Sequence, residues 1–390
     1  MLRAGGLRLA SIGPLHGGPS EFSAAVAKAY AELEETVELV IVYLPVLPPA
    51  DLRAFLAGAA RAARRAVVVG ATTGGAAFTE RGVTRTGVVG AVLGGGVSIR
   101  SADARNLRHN GCDAIHRALD SLEIGSARTS SVLALMDAYA TDGETIVSAL
   151  RRHTPVECRC FGAMAGDNWA FENTYVFHGG EVLSNAAVFV LIESPTKLAM
   201  DVIHGWSPVP DSRGMVITAA EGSVLRKLDD RPAAEVYVTE LTRLGLLAPG
   251  EHLEQTHYTS ELGVSTPFGE HLKVRAPLGV SRDGSIMLAG GLSAGDAVQI
   301  AGATPDRRVN AAEQLAARVR RQVGAPLRGA LVFDCAARLR LLRDRFENET
   351  RAFTGDQRSP TLGLSSYGEI AKFGGSVEGF HNSTAVMVGW

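Results

Sequence analysis

Short apolar segments recur along the chain, and several of them lead into a turn that contains glycine. The clearest case lies near the C-terminus, where apolar strands are predicted at Ala330–Cys335 and from Thr361, with a helical segment between them. The second strand is predicted to open into a polar turn at 366–370, and a closing strand is predicted over 380–388. Apolar runs bounded by glycine and polar residues are typical of buried strands. The pattern places backbone groups and small hydroxyl groups at one sheet edge, which suits a small polar ligand.

The same order of elements occurs twice earlier in the chain. Superposing the turns pairs Gly75, Gly166 and Gly368. A carboxylate, Asp167 or Glu369, follows the glycine in two of the three copies. We interpret this as an internal duplication of one supersecondary unit, with fortuitous similarity in a chain rich in Ala, Val and Gly as the alternative. The earlier strands are predicted at 39–44, 66–75 and 87–93, and at 132–136, 161–167, 175–178 and 187–192.

These elements predict an α/β (α+β) fold, with two domains built from repeated β-α-β-β units and mixed sheets flanked by helices. Residues 1–34 are expected to be a lead-in and a helix, residues 35–197 a first domain, and residues 198–390 a second. The boundary is placed at 193–197, where Ser and Pro interrupt the apolar alternation.

Local signals add several elements to this outline. Residues 1–17 contain Gly and Pro and are predicted to be loosely structured, and a polar helix is predicted over about 103–122. Thr141 and Glu144 form a capping box, which predicts a helix beginning there. The glycines at 70–75 are not followed by Gly-Lys-Ser/Thr, so a nucleotide-binding loop is not expected.

Composition excludes several function classes. Basic and acidic residues are interspersed and nearly balanced, with a formal charge of −2, so a nucleic-acid-binding face is not expected. The four cysteines have no zinc-site spacing, and Pro, Gly or charges interrupt every apolar run before it could cross a bilayer. The N-terminus has no sustained apolar segment typical of a signal peptide. We therefore expect a cytoplasmic protein that contacts neither nucleic acid nor membrane.

Eight short motifs follow one another along the chain: GATTGG at 70–75, GAMAGD at 162–167, HGW at 204–206, LDDRPAAEVY at 228–237, VR at 274–275, VFDCAAR at 332–338, SYGEI at 366–370 and HNST at 381–384. In this order they resemble the FIST proteins, named for F-box and intracellular signal transduction. The family has an N-terminal FIST N domain and a C-terminal FIST C domain, and the resemblance covers about residues 35–390. The first-repeat turn departs from the family in having Ala76 where an acidic residue is usual.

The resemblance implies an intracellular sensory module that binds an amino acid or a similar metabolite. It also implies an alternative, because some bacterial members are haem-binding nitric-oxide sensors. In either case the signal would pass to a separate partner such as a histidine kinase or a cyclic-di-GMP enzyme. The chain ends at Trp390, directly after its last strand, so we expect no fused output domain.

The candidate ligand-binding residues are those whose chemistry complements an amino acid. Glu369 or Asp167 would take the ammonium group, and an arginine, Arg275 or Arg338, would take the carboxylate. The alternatives are a turn carboxylate for Glu369 and a surface helix charge for Arg338. The remaining candidates supply hydroxyls, an approachable backbone and an amide, and are Ser366, Tyr367, Gly368 and Asn382.

Three further hypotheses stay open. His204, beside a glycine and Trp206, is the candidate axial ligand if haem binds, although a lone histidine is more often structural. Cys335 lies at the predicted start of a helix, where a thiol is activated, and it supports a thiol-dependent enzyme as the alternative function. A buried, inert cysteine is the competing interpretation, and we expect a binding protein. Trp169 and Phe171, close to Asp167, would either floor a pocket or pack a hairpin.

Overall fold

The structure is a computed structural model of the chain. It describes residues 6–33, 37–125, 129–248, 259–265, 272–356, 358–374 and 378–390. The predicted division between residues 34 and 35 lies outside these residues. Within the described residues, no helix is both long enough and apolar enough to cross a bilayer.

Three successive units share one order of elements, β-α-β-α-β-β-β-β. In the third unit, two helices replace the second helix of this order. Unit 1 contains β1 (Arg8–Leu15), α1 (Pro19–Glu32), β2 (Val37–Leu44), α2 (Pro49–Ala63), β3 (Val67–Thr72), β4 (Ala77–Thr79), β5 (Gly82–Thr84) and β6 (Val88–Gly94). Unit 2 contains β7 (Ser98–Arg105), α3 (Leu107–Ser121), β8 (Ser130–Met136), α4 (Gly143–His153), β9 (Arg159–Met164), β10 (Val176–His178), β11 (Glu181–Leu183) and β12 (Ala186–Glu193).

Unit 3 is interrupted after its first strand by an inserted sheet. The insert contains β14 (Ser207–Pro208), β15 (Met215–Glu221), β16 (Val224–Leu228), β17 (Arg231–Pro232), α5 (Ala233–Arg243), β18 (Ser260–Ser265), β19 (Leu272–Arg275), β20 (Pro277–Val280), β21 (Ile286–Leu288) and β22 (Ala297–Gly302). Unit 3 itself contains β13 (Ala199–Ile203), α6 (Pro305–Val323), β23 (Ala330–Cys335), α7 (Ala336–Leu342), α8 (Phe346–Thr354), β24 (Thr361–Ser366), β25 (Glu369–Lys372), β26 (Gly379–His381) and β27 (Ala385–Gly389).

Each unit contributes a hairpin to the sheet of another unit, in cyclic order. Each unit contributes a parallel pair of strands, β2 with β3, β8 with β9, and β23 with β24. The hairpin that follows each pair joins the sheet of another unit, so that β10 pairs with β3, β25 with β9, and β4 with β24. The result is three six-stranded mixed sheets, each completed by a neighbour. The predicted fold class, α/β with mixed sheets flanked by helices, is confirmed.

The alternating side chains of the strands explain why both faces of each sheet are buried. In β2, Leu39, Ile41 and Tyr43 belong to a central core that all three sheets share. Val40 and Val42 face the opposite way and pack against α1 and α2. Successive side chains of a strand point to opposite faces, so a strand covered on both sides is a nearly continuous apolar run. The helices form the outer layer of each unit.

The glycine turns that end β3 and β9 pack directly against each other. Gly166 N–H donates to the carbonyl of Thr72 at 3.0 Å, and Gly74 N–H donates to the carbonyl of Ser365 at 2.6 Å. A Cβ atom at Gly166 would lie 2.3 Å from the Cα atom of Gly74. Only glycine allows this approach, which brings the turns of the three units together.

Counting from the last residues of β3, β9 and β24 makes Gly74, Gly166 and Gly368 equivalent. The pairing that used Gly75 is therefore wrong by one residue, because the sequence holds two consecutive glycines and does not show where β3 ends. Gly75 then corresponds to Asp167 and Glu369, so the first unit still lacks a carboxylate after its glycine.

Three local predictions are wrong. Residues 8–15, expected to be loosely structured, form β1, which pairs with β6. Residues 98–105 form β7 beside β12, so the helix expected from 103 begins at Leu107. Asp142 caps α4 by accepting a hydrogen bond from Thr145 N–H at 2.9 Å, one residue later than the predicted capping box. β1 and β7 are edge strands, and the Gly and Pro of β1 and the polar residues of β7 weaken the apolar pattern that would indicate a strand.

Candidate functional site

A cavity of about 330 Å³ lies where units 2 and 3 meet the inserted sheet. This volume is at the lower end of the range for small-molecule sites, roughly 300–1,000 Å³. Unit 2 contributes Ala138, Tyr139, 141–143, Met164, Trp169 and Phe171. Unit 3 contributes 335–337, Ser366, Tyr367 and Asn382, and the insert contributes Ser223, Ala276, Leu278 and 287–290.

The aromatic wall of the cavity is one packed cluster. The Phe171 and Tyr367 rings stack with centroids 5.7 Å apart, and the Trp169 ring lies 5.6 Å from Phe171 and 5.8 Å from Tyr367. Phe171 is 50% exposed, so the cluster reaches from the buried turn of unit 3 to solvent. The structure therefore places Trp169 and Phe171 in the cavity wall.

Asp167 holds this wall in place from behind. Its carboxylate accepts backbone N–H groups of Phe171, Glu172 and Asn173 at 3.1, 2.7 and 3.0 Å. It also accepts the Tyr367 hydroxyl at 2.6 Å and, more weakly, the Tyr139 hydroxyl at 3.4 Å. Asp167 is buried and does not line the cavity. Its geometry serves to orient the two tyrosines that do.

The loop after Asp167 adopts a backbone conformation that large residues rarely take. Asn168, Trp169 and Phe171 have φ values of 53°, 67° and 56°. Positive φ is strained for bulky residues and persists only where surrounding contacts enforce it. Here those contacts are the Asp167 hydrogen bonds, together with the Trp169 N–H donated to the Tyr367 hydroxyl. Strain of this kind clusters at ligand clamps.

Ser366 and Cys335 line another part of the cavity, with Glu369 directly behind them. The Ser366 hydroxyl donates to the Glu369 carboxyl at 2.8 Å. Burial raises the pKa of Glu369 well above its usual value, while Ser366, the Cys335 thiol and the Thr384 N–H oppose that rise. Burial therefore favours the neutral form of the Glu369 carboxyl. Gly368 lies in the turn, where a Cβ atom would lie 2.2 Å from the Phe380 ring.

The Cys335 thiol is expected to be inert in the folded protein. Burial, and secondly the nearby Glu369, raise the pKa of this thiol well above its usual value. We predict that iodoacetamide at neutral pH modifies the exposed Cys112 at least ~100-fold faster than Cys335, because the thiolate is the reacting species. Peptide mass spectrometry after timed labelling measures both rates, and urea should equalise them. Equal rates in the folded protein would contradict this prediction and favour the thiol-dependent enzyme.

Asn382 presents a buried amide to the cavity. Its Nδ2 donates to the carbonyl of Ala289 at 3.2 Å, which joins unit 3 to the insert. Within the described part of the chain, its Oδ1 has no hydrogen-bond partner, although the residue is only 1% exposed. A buried acceptor costs free energy unless it is paired. A ligand donor would satisfy it.

The two candidate arginines are buried and engaged elsewhere. Arg338 pairs with Asp334 at 2.9 Å and with Glu349, and it donates to the carbonyls of His204 and Arg308. Arg338 is fully buried, so it is not a charge on the surface of a helix, which was the alternative interpretation. It does not line the cavity.

Arg275 pairs with Glu144 of α4 at 2.6 Å and donates to the carbonyl of Gly291 at 3.0 Å. It fastens the insert to unit 2 and likewise does not line the cavity. His204 accepts the Trp206 N–H on its Nδ1 at 2.8 Å and also lies outside the lining. Among the described residues, the lining therefore supplies no histidine to ligate haem.

Glu261 of the insert is buried against unit 3, where it accepts a hydrogen bond from the Ser383 hydroxyl. Burial raises its pKa to about 7 from 4.5, despite opposition from Arg308, the Ser383 hydroxyl and Arg275. The unfolded chain therefore loses this proton at lower pH than the folded chain. The stabilising contribution of the protonated carboxyl is complete below about pH 4.5 and is lost as the pH rises through about 7.

We predict that Glu261→Gln reduces the pH dependence of stability. Between about pH 4.5 and 8, the free energy of unfolding of the wild type should fall by about 3 kcal/mol more than that of the variant. Urea unfolding of both proteins across this range measures the difference. Parallel pH profiles would show that Glu261 titrates normally in the folded protein.

The structure brings together six of the eight candidates that sequence reasoning selected. Ser366, Tyr367 and Asn382 line the cavity, Asp167 and Glu369 lie behind it, and Gly368 joins Tyr367 to Glu369 in the turn. Sequence reasoning missed the segment after β8, including Tyr139, and the inserted strands. Tyr139 follows the carboxyl end of a parallel strand, a position that favours ligand contact. The sequence alone therefore contained a signal that could have identified Tyr139. Nothing in the sequence placed the insert against the turns.

Two larger grooves lie elsewhere, about 840 Å³ between α6 and α8 and about 510 Å³ between α8 and the β4–β5 hairpin. Their walls carry both basic and acidic side chains, and neither contains a candidate residue or an aromatic ring among the described lining residues. Sites for small molecules are mostly apolar with a few placed polar groups. The smaller cavity fits that description and the grooves do not.

Comparison with known proteins matches two family models in succession, the FIST N domain over residues 38–231 and the FIST C domain over residues 233–372. An uncharacterized protein of Methanocaldococcus jannaschii is 32% identical over 81 residues, and the match spans 21% of this chain and 15% of that protein. The crystal structure of cyanuric acid hydrolase from A. caulinodans aligns over 98% of both chains, at 10% identity and a TM-score of 0.32.

Proposed function

Because the chain belongs to the FIST family of signal-transduction sensor domains, we propose that it binds a small metabolite of the amino-acid class in the cavity and signals through a separate protein. The observation that carries the proposal is the cavity itself. It has an aromatic wall held by Asp167, and buried polar groups on Ser366 and Asn382. The apolar part of the ligand would lie against the rings and its hydrogen-bonding end against the polar groups.

The position of the cavity supports a sensory role. Units 2 and 3 and the insert all contribute to its wall, so a bound ligand would contact three parts of the structure at once. A ligand that binds one arrangement of these parts better than another shifts the equilibrium between them. A histidine kinase or a cyclic-di-GMP enzyme that recognises one arrangement would then receive the signal.

A thermal-shift screen of the proteinogenic amino acids on the full chain tests the proposal. At least one compound should raise the melting temperature, and Asn382→Leu should abolish that shift because it removes the amide and fills the cavity. The matched control is Asn348→Leu, in the groove between α6 and α8, which should keep the shift. A compound that stabilises the wild type and Asn382→Leu equally would place its site elsewhere.

A further inference from the structure

The cavity is unusual in its share of aromatic rings. Tyr139, Trp169, Phe171 and Tyr367 all line it. The hydroxyls of both tyrosines donate to the Asp167 carboxylate, which makes their ring faces richer in electrons. Burial is the main cause that raises the pKa of Tyr367 and of Tyr139, so both remain neutral donors. The wall therefore contains four rings, each with a negative quadrupole face.

The charge of the cavity lining also favours a cationic ligand. Among the described residues, Asp142 is the only charged side chain in the lining, and no lysine, arginine or histidine lines it. Asp142 is exposed and caps α4 through Thr145. A ligand with a net negative charge would meet a carboxylate here without a lining cation to pair with, whereas the cationic group of a ligand would be attracted.

One ring of the cluster, that of Trp169, already contacts a cationic side chain. The guanidinium carbon of Arg340 lies 5.0 Å from the centre of the Trp169 ring. Cations within about 6 Å of an aromatic centroid are attracted by the ring, most strongly at tryptophan. Tyr139, Phe171 and Tyr367 also line the cavity, and the stacking of Phe171 on Tyr367 occupies one face of each of those two rings.

We propose that the ligand carries a methylated ammonium group, as choline or an N-methylated amino acid does, and that the aromatic rings bind this group. The inference rests on the proposed small-ligand function and adds the chemical class of the cationic end. Methyl groups spread the positive charge and remove the N–H donors, so such a group is cheaply desolvated and packs on ring faces. The mostly apolar lining suits this group better than a primary ammonium ion, which needs several acceptors.

Isothermal titration of the full chain with choline and with its neutral isostere 3,3-dimethyl-1-butanol tests the charge directly, because the two compounds have almost the same shape. Choline should bind at least ~10-fold more tightly if the rings act on the charge. Equal affinities would overturn the proposal, since apolar burial alone would then explain binding.

Tyr139→Leu removes one ring and keeps the wall apolar, so it should weaken choline binding by about 10-fold and leave the isostere unchanged. Tyr30→Leu is the matched control, because it removes a tyrosine ring from α1 that does not line the cavity. If Tyr139→Leu lacks a cooperative thermal transition, Phe171→Leu replaces it. Unchanged choline affinity in a folded variant would contradict the role of the rings.

The outcomes separate this inference from the proposed function. If an amino acid without N-methyl groups binds in the cavity and choline does not, the sensor proposal stands and the methylated-ammonium class is wrong. If no compound of either set binds the wild type, both fall.

Discussion

Replacing Arg338 with methionine is expected to lower the free energy of unfolding by about 3–5 kcal/mol. The guanidinium lies between Asp334 and Glu349, and all three side chains are fully buried. Its removal leaves two buried carboxyl groups without the cation between them. The carbonyls of His204 and Arg308 each lose one donor, and the His204 carbonyl keeps its bond from Arg308. Breaking a buried pair from one side is costly because the remaining charge is neither solvated nor paired. Urea unfolding of the wild type and the variant measures the loss.

Arg345→Met is the matched control for this prediction. Arg345 pairs with Asp306 at the surface, where the two side chains are 44% and 83% exposed. Exposed pairs contribute little, so this variant should cost less than about 1 kcal/mol. If Arg338→Met were as mild as the control, the buried network could not be what joins β23, α7 and α8.

Asp167→Ala is expected to destabilise the protein by about 2–4 kcal/mol and to release the loop that carries the aromatic wall. Three backbone N–H groups and two tyrosine hydroxyls lose their shared acceptor. The residues with positive φ then have nothing to enforce that conformation. Limited proteolysis should cut the variant within 168–173, and any ligand-induced thermal shift should disappear.

Glu172→Ala is the matched control in the same loop. The Glu172 side chain is exposed, whereas its backbone N–H makes the bond to Asp167. This variant should keep the stability, protease resistance and ligand response of the wild type. Wild-type protease resistance in Asp167→Ala would show that the carboxylate does not hold the wall.

Sequence patterns predicted the parts of the fold that rest on local signals. The apolar strands at 132–136 and Ala330–Cys335, the glycine turns and the repeated order of elements are all present. The resemblance to FIST proteins is also confirmed. These features depend on neighbouring residues, because strand burial and turn formation show directly in the order of apolar residues and glycines.

The pairing of hairpins between units and the position of the insert could not be predicted from local sequence patterns. β25 pairs with β9 although about 200 residues separate them, and the apolar pattern of each strand is the same whichever partner it has. The arginines illustrate the consequence for the site. Arg275 and Arg338 have the chemistry to bind a carboxylate, but Glu144 and Glu349, which engage them, come from elements whose packing the sequence did not indicate.

The most direct measurement of whether the cavity binds a ligand is a methyl NMR titration of protein labelled at its methionines. Met164 and Met287 line the cavity, whereas Met200 and Met387 lie in strands away from it. Titration with the compound that gives the largest thermal shift should move the signals of Met164 and Met287 and leave those of Met200 and Met387 in place. Saturable binding that shifts only Met200 or Met387, or no methionine at all, would contradict a ligand site between the two units and the insert.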